Sequence, residues 1–398
     1  MIGWIQLSRS AVASAEQALK ADSQGVRDEV GFLALHQAFS DRFFPGTSVL
    51  HTRLRYVLFI PWLMERAGGD PALLRKYELE LTKQLKDYPK GNQGVIGATV
   101  WPDEPSQTPS MAYWSALSRW GVLRPRADGA SASRRQTLKR IEAMHQQSAG
   151  RRHEVDGEQL FEHEPSPFAQ LPAAPPELLK AGETLDFRLT KGERDFLRRQ
   201  LLGLRRSPEC SEQSLLARLV EARLPVADIE APWADSILAV ASEVDQRALL
   251  LAKNMSALAG IGRAVYSALV EQLKANGSGD YSARHRDHLD EMVALHGKEA
   301  RALDIVQLNT LIPGLSTQLL AVLNATQQWL NSKTSALTEL QPVYATAELL
   351  RKGARARLSN SLAGQKRRAE WESDEHPLAE PLHYRWRNVR TLLTDLSA

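Results

Sequence analysis

The sequence predicts a mostly α-helical, multi-domain protein with at most a small β element in its N-terminal domain. Three observations predict it. The chain has 398 residues, more than one small core accommodates. Residues 236–274 (SILAVASEVDQRALLLAKNMSALAGIGRAVYSALVEQLK) run without a proline and meet NGSG, a helix stop. Alternating β patterns are scarce. The clearest is VIGATVW (95–101), bounded by glycine and proline.

Composition shifts divide the chain. Residues 1–124 are rich in aromatics and turns and form the expected N-terminal helical domain. Residues 125–186 (RADGASASRR, QQSAGRRHEVDGEQ, EHEPSPFAQLPAAPPE) read as a charged connector in which apolar residues keep no fixed period. Residues 187–398 are expected to form a C-terminal helical domain with a basic tail helix. Charge alternates in blocks. Residues 119–152 hold nine Lys/Arg and two acids, and 153–185 hold one Lys and seven acids. The same reversal recurs from 351–368, seven basic residues, to 370–380, five acidic ones. Such blocks pair with each other, with acidic partners or with water.

Total composition excludes several classes. A net charge of +3 does not by itself argue for a nucleic-acid binder, and a lone cysteine, Cys210, rules out intrachain disulfides and a Cys-rich zinc site. MIGWIQLSRSAVASAEQALK has no basic start followed by an apolar core, and apolar runs such as VLFIPWLM (57–64) are too short to span a bilayer. A cytoplasmic protein without membrane contact or cofactor is expected.

DRFFPGTSVLHTRLRYVLFIPW (41–62) places two arginines in the most apolar helix-like stretch. With Thr47 or Ser48 as N-cap and Pro61 as a kink or stop, a helical wheel puts Arg53 among Val49, Leu50, Val57 and Ile60. Arg55 falls on the polar side with His51 and Thr52. A buried guanidinium must find a partner. Asp28, Glu29, Asp41 and Glu65 are candidates for an internal pair, and a bound phosphate or carboxylate is the functional alternative. The segment 94–121 joins three tryptophans to a proline-rich loop, with Ser110 as cap of a helix through Tyr113, Trp114 and Leu117 to Gly121. Loops held by buried aromatics carry binding groups, which makes Ser106, Gln107, Tyr113 and Trp114 candidates beside the plain reading of the rings as core.

Several motifs test negative. HGKEARALD (296–304) nearly matches the H-x-K-x4-D pattern of phospholipase-D-like phosphodiesterases, but Asp304 is one residue late and the text is helical. His285, His288 and Glu291 in RHRDHLDE share a helix face, yet nothing supplies a further metal ligand. No nucleotide-binding, hydrolase or zincin signature occurs, and GIGRA (260–264) lies inside a long helix. No catalytic or metal-binding residue is assigned. In RKGARARLSNSLAGQKRR (351–368) a helical wheel sets Arg351, Lys352 and Arg355 beside an apolar stripe of Ala347, Leu350, Ala354 and Leu358. A helix docked on that stripe presents the cations to phosphates or to an acidic partner.

MIGWI, FFPGTS followed by TRLRY and IPW, GVIG…WP…PSQTPS…YW and the final HYRWRNVRTLLTDL together resemble an uncharacterised bacterial protein family. The resemblance supplies no catalytic positions. It implies an association with anti-phage defence genes, including helicases and phospholipase-D-like nucleases. The expected function is therefore a non-catalytic subunit of a defence system, contacting nucleic acid or helicase or nuclease partner proteins through Arg53 and the basic C-terminal helix. The alternatives are a nuclease or other phosphodiesterase of unrecognised type, centred on His285, His288 and Glu291, and a winged-helix-like DNA-binding regulator.

Overall fold

The computed structural model describes residues 28–150, 166–278, 283–332 and 336–398. The MIGWI motif and residues 151–165 of the connector lie outside them. Among the described residues sixteen α-helices follow in order: α1 (Phe32–Phe43), α2 (Tyr56–Arg66), α3 (Pro71–Lys86), α4 (Pro109–Ala112), α5 (Trp114–Arg119), α6 (Arg134–Gly150), α7 (Lys191–Leu202) and α8 (Leu215–Ala222). The second half adds α9 (Asp235–Val240), α10 (Glu243–Ser278), α11 (Arg284–Arg301), α12 (Ile305–Leu311), α13 (Thr317–Asn331), α14 (Gln341–Lys352), α15 (Leu362–Ala369) and α16 (Trp386–Ser397). Leu337–Leu340 and Gly353–Arg355 are 3-10 turns. The fold is mostly α, as predicted. Among the described residues no strand forms, and VIGATVW is a succession of turns. No described helix is long and apolar enough to cross a membrane.

The described residues fall into two compact units, 41–230 with 385–398, and 28–40 with 231–384. In the first, α2 is the central element. Tyr56 to Met64 are all buried, and Pro61 sits inside the helix rather than ending it. α3 begins at Asp70, whose carboxylate accepts from the N–H groups of Ala72 and Leu73, with Pro71 in the first helical position. α7 opens on a capping box of Thr190 and Glu193. Part of the sequence-defined connector is ordered here. Phe168 is buried, and Leu123 pairs with it as an isolated antiparallel bridge.

The second unit is built around α10, which packs against α11, α13 and α15. Its GIGRA glycines have a packing reason. A β-carbon on Gly262 would lie 2.5 Å from the Phe32 ring, and one on Gly260 would lie 2.7 Å from Met292. Both separations are too short for any other residue without repacking. Tyr344 of α14 is buried and shares a 2.7 Å hydrogen bond with the Thr326 hydroxyl of α13.

Candidate interaction surface

In the first unit, most of the predicted site residues hold the fold together. Helix α2 starts at Tyr56, so the wheel drawn through residues 49–60 does not apply. Thr47 donates to the Phe44 carbonyl, Ser48 accepts from Leu50, and Arg55 occupies the N-cap with no side-chain cap bond. Arg53 pairs with Asp395 of α16, through Nη2 at 2.7 Å and Nε at 3.0 Å, and its guanidinium lies over the Phe187 ring. Asp395 also accepts from the Leu54 N–H at 2.8 Å. The partner comes from a position 342 residues away, which no local pattern points to. Arg55, assigned by the wheel to the polar side, is only 5 % exposed. Its guanidinium meets Glu193 at 2.9 Å and the Asp186 carbonyl at 2.8 Å. Glu193 thereby serves as both cap and counter-ion.

Tyr113 is fully buried. Its hydroxyl accepts from the N–H groups of Thr52 and Arg53 and donates to the Arg53 carbonyl at 2.7 Å. Burial pushes its ionisation well above the ordinary phenol range. Trp114 is half-buried and donates to the Ala132 carbonyl. Ser106 is exposed and Gln107 half-buried, with no side-chain hydrogen bond among the described residues. Ser110 does not cap one long helix, because α4 and α5 are separate short helices with Pro109 starting the first. Asn388 of α16 donates to the carbonyls of Val49 and His51, and Arg385 reaches Asp41 and the Thr47 carbonyl. The motifs FFPGTS, TRLRY and RWRNVRTLLTDL are thus each other's binding partners.

His51 stacks on Tyr113, with ring centroids 4.2 Å apart. Its Nδ1 accepts from the Ser48 N–H, so Nε2 carries the proton donated to the Ala112 carbonyl. Burial lowers its pKa to about 3. Between that value and roughly 6.5, the unfolded chain takes up a proton that the folded one refuses. The first unit is therefore expected to lose stability as pH falls below about 6.5, by on the order of 3 kcal/mol at pH 4. Thermal melting of His51→Asn against pH checks this. Its slope between pH 7 and 4 should be clearly flatter than that of the wild type, and parallel slopes would exclude His51 as the source.

In the second unit the basic segment does not continue as a helix. α14 ends at Lys352 because Gly353 turns to φ +54°, a conformation open to glycine. Glu348, fully buried, then draws the chain back. It accepts from the Arg357 N–H at 2.9 Å, the Leu358 N–H at 2.8 Å and the Tyr266 hydroxyl at 2.6 Å. Leu358 enters the core from this turn, and the apolar stripe read as Ala347, Leu350, Ala354 and Leu358 does not exist. The buried face of α14 is Tyr344, Ala347 and Glu348.

Most cations of 351–368 already have partners in the same unit. Arg351 pairs with Asp28, Lys352 with Glu29, and Arg367 with Glu370 at 2.8 Å. Arg357 lies 4.0 Å from Glu29. Arg368 is largely buried and donates to the carbonyls of Arg357 and Ser359. Arg355 and Lys366 are exposed, with no ion pair among the described residues. The same helices carry three large exposed apolar side chains, of which the sequence reading places Leu350 in a docked stripe and does not single out Leu349 and Leu362. Leu349, Leu350 (65 % exposed) and Leu362 (84 % exposed) project from α14 and α15, which pack through the intervening 3-10 turn. The signal was present, since a helix burying Tyr344, Ala347 and Glu348 must turn Leu349 and Leu350 away.

His285 and His288 do not form a metal centre. His285 is buried with Nε2 3.1 Å from the Ser373 carbonyl, and His288 Nε2 lies 2.7 Å from the Ala379 carbonyl. Among the described residues Glu291 reaches His288 alone, at 3.5 Å. Among the described residues no cluster of three or more His, Cys, Asp or Glu is placed to hold a metal. Asp304 is the N-cap of α12, accepting from the Gln307 N–H, while His296 and Lys298 belong to α11.

Residues 2–137 match a family described as "Family of unknown function (DUF6361)". That stretch contains FFPGTS, TRLRY and the GVIG…YW segment, so the resemblance to an uncharacterised family holds over the first third of the chain. Neither the curated proteins nor the solved structures include a match.

Proposed function

We propose that this protein is a non-catalytic, partner-binding component of a larger assembly, of the anti-phage defence kind that its sequence resemblance implies. Its α14–α15 face docks an acidic protein surface that carries apolar anchors. One observation carries this reading: Leu349, Leu350 and Leu362 stand exposed on α14 and α15, the helices joined through the 3-10 turn of Arg355, and neither Arg355 nor Lys366 of α15 has an ion pair among the described residues. Apolar anchors with a few cations suit the centre of a protein–protein interface. Nucleic acid is the weaker reading here. Cations already paired with Asp28, Glu29 and Glu370 release few counterions on meeting phosphates, and acidic side chains outnumber basic ones in the second unit.

Fluorescence anisotropy with single- and double-stranded DNA and RNA at two salt concentrations tests it. The reading predicts affinities no tighter than the roughly micromolar non-specific range at physiological salt. It also predicts no difference between the wild type and the Arg351→Glu/Lys352→Glu/Arg355→Glu variant. Tight, salt-dependent binding lost in that variant would replace a protein partner with nucleic acid.

A further inference from the structure

The first unit contains a pocket of about 730 Å³, far from the surface just described in sequence and lying wholly within its own unit. Its floor is Trp62 of α2, and one wall is the extended stretch at Leu171 and Pro172. Two arginines, Arg66 and Arg124, line the same space. The wall is fixed by backbone pairing. The Arg124 N–H donates to the Pro167 carbonyl, the Ala169 N–H donates to the Val122 carbonyl, and the Trp62 indole donates to the Pro172 carbonyl.

The charges in the pocket are unbalanced. Arg66 makes one hydrogen bond, to the Leu178 carbonyl at 3.3 Å, and the Arg124 guanidinium makes none among the described residues. The one carboxylate in the lining, Glu65, accepts from the Ser166 hydroxyl at 3.1 Å and forms no ion pair with either arginine. Two exposed arginines that line a cavity, neither with an ion pair among the described residues, are suited to bind an anion from solution through planar, charge-assisted hydrogen bonds. The volume falls in the range of small-molecule sites, about 300–1,000 Å³, and the apolar floor and wall suit an organic body. We infer that this pocket binds an organic anion, a carboxylate or phosphate monoester with a flat apolar body, its charge held by Arg66 and Arg124 and its body lying on Trp62.

Isothermal titration calorimetry with 1-naphthoate, 1-naphthyl phosphate and neutral 1-naphthalenemethanol tests the assignment on the full chain. At least one anion should bind, and the preferred anion identifies the headgroup. The neutral probe should bind at least about tenfold more weakly, as should the anion with Arg66→Ala/Arg124→Ala, since the loss of even one charge-assisted hydrogen bond is worth about tenfold or more. Arg124→Ala alone removes no side-chain hydrogen bond or ion pair among the described residues, so its effect on affinity is expected without loss of folding, which circular-dichroism melting verifies. Equal binding of the neutral probe, anion affinity unchanged in both variants, or no heat from either anion at millimolar concentration would each overturn the proposal.

Discussion

Replacing Glu348 by alanine is expected to lower the stability of the second unit by about 3–5 kcal/mol, the usual cost of breaking a buried charged network by removing one member. The carboxylate accepts three hydrogen bonds, and the Tyr266 hydroxyl and the Leu358 N–H would be left buried without an acceptor. For a unit of this size, that loss corresponds to a melting temperature lower by about 10 °C. The geometry also predicts which substitution is mild. Glutamine can place its oxygen against the N–H groups of Arg357 and Leu358, and its amide against the Tyr266 hydroxyl. Glu348→Gln should therefore retain more than half of the stability lost in Glu348→Ala. Thermal melting of the two variants decides it, and equal losses would mean that the charge rather than the hydrogen-bond pattern holds the turn.

Asp395→Ala is the second large effect. Removing this carboxylate leaves the Arg53 guanidinium and the Leu54 N–H without their shared acceptor. Arg53 retains partial access to water, so the expected cost is about 2–3 kcal/mol, less than for a fully buried pair. The loss should be local as well as global. Asp395 ties α16 to the turn before α2, and hydrogen exchange in α16 should accelerate more than in α3, which the substitution does not touch. Uniform acceleration across the first unit would show that the pair contributes only to global stability.

These two carboxylates show where the sequence was legible and where it was not. The helical class followed from the proline-free run and the scarcity of alternating segments, and both are local signals. Positions at the turns were harder. The wheel through residues 49–60 assumed one helix, whereas 48–55 folds as turns closed by Ser48, His51 and Tyr113. As a result, the burial of Arg55 was misread. Likewise, 351–358 has a helical pattern until Gly353 and Glu348 intervene, and the effect of Glu348 depends on Tyr266, some eighty residues earlier. Charge blocks were a partial guide to pairing, since Arg367 does meet Glu370 of the acidic stretch. The partners of Arg351 and Lys352 are Asp28 and Glu29, not the acidic stretch at 370–380. Long-range pairs such as Arg53 with Asp395 leave no periodicity in a single sequence.

The docking surface is tested most directly by site-specific photo-crosslinking in cells that express the protein natively. A benzophenone amino acid would replace Leu350 or Leu362, with Val306, equally exposed on α12, as the control position. The account predicts one discrete protein adduct from both Leu350 and Leu362, absent at Val306, and lost when Arg355 and Lys366 are changed to glutamate. No adduct from Leu350 and Leu362, or the same adducts from Val306, would contradict it.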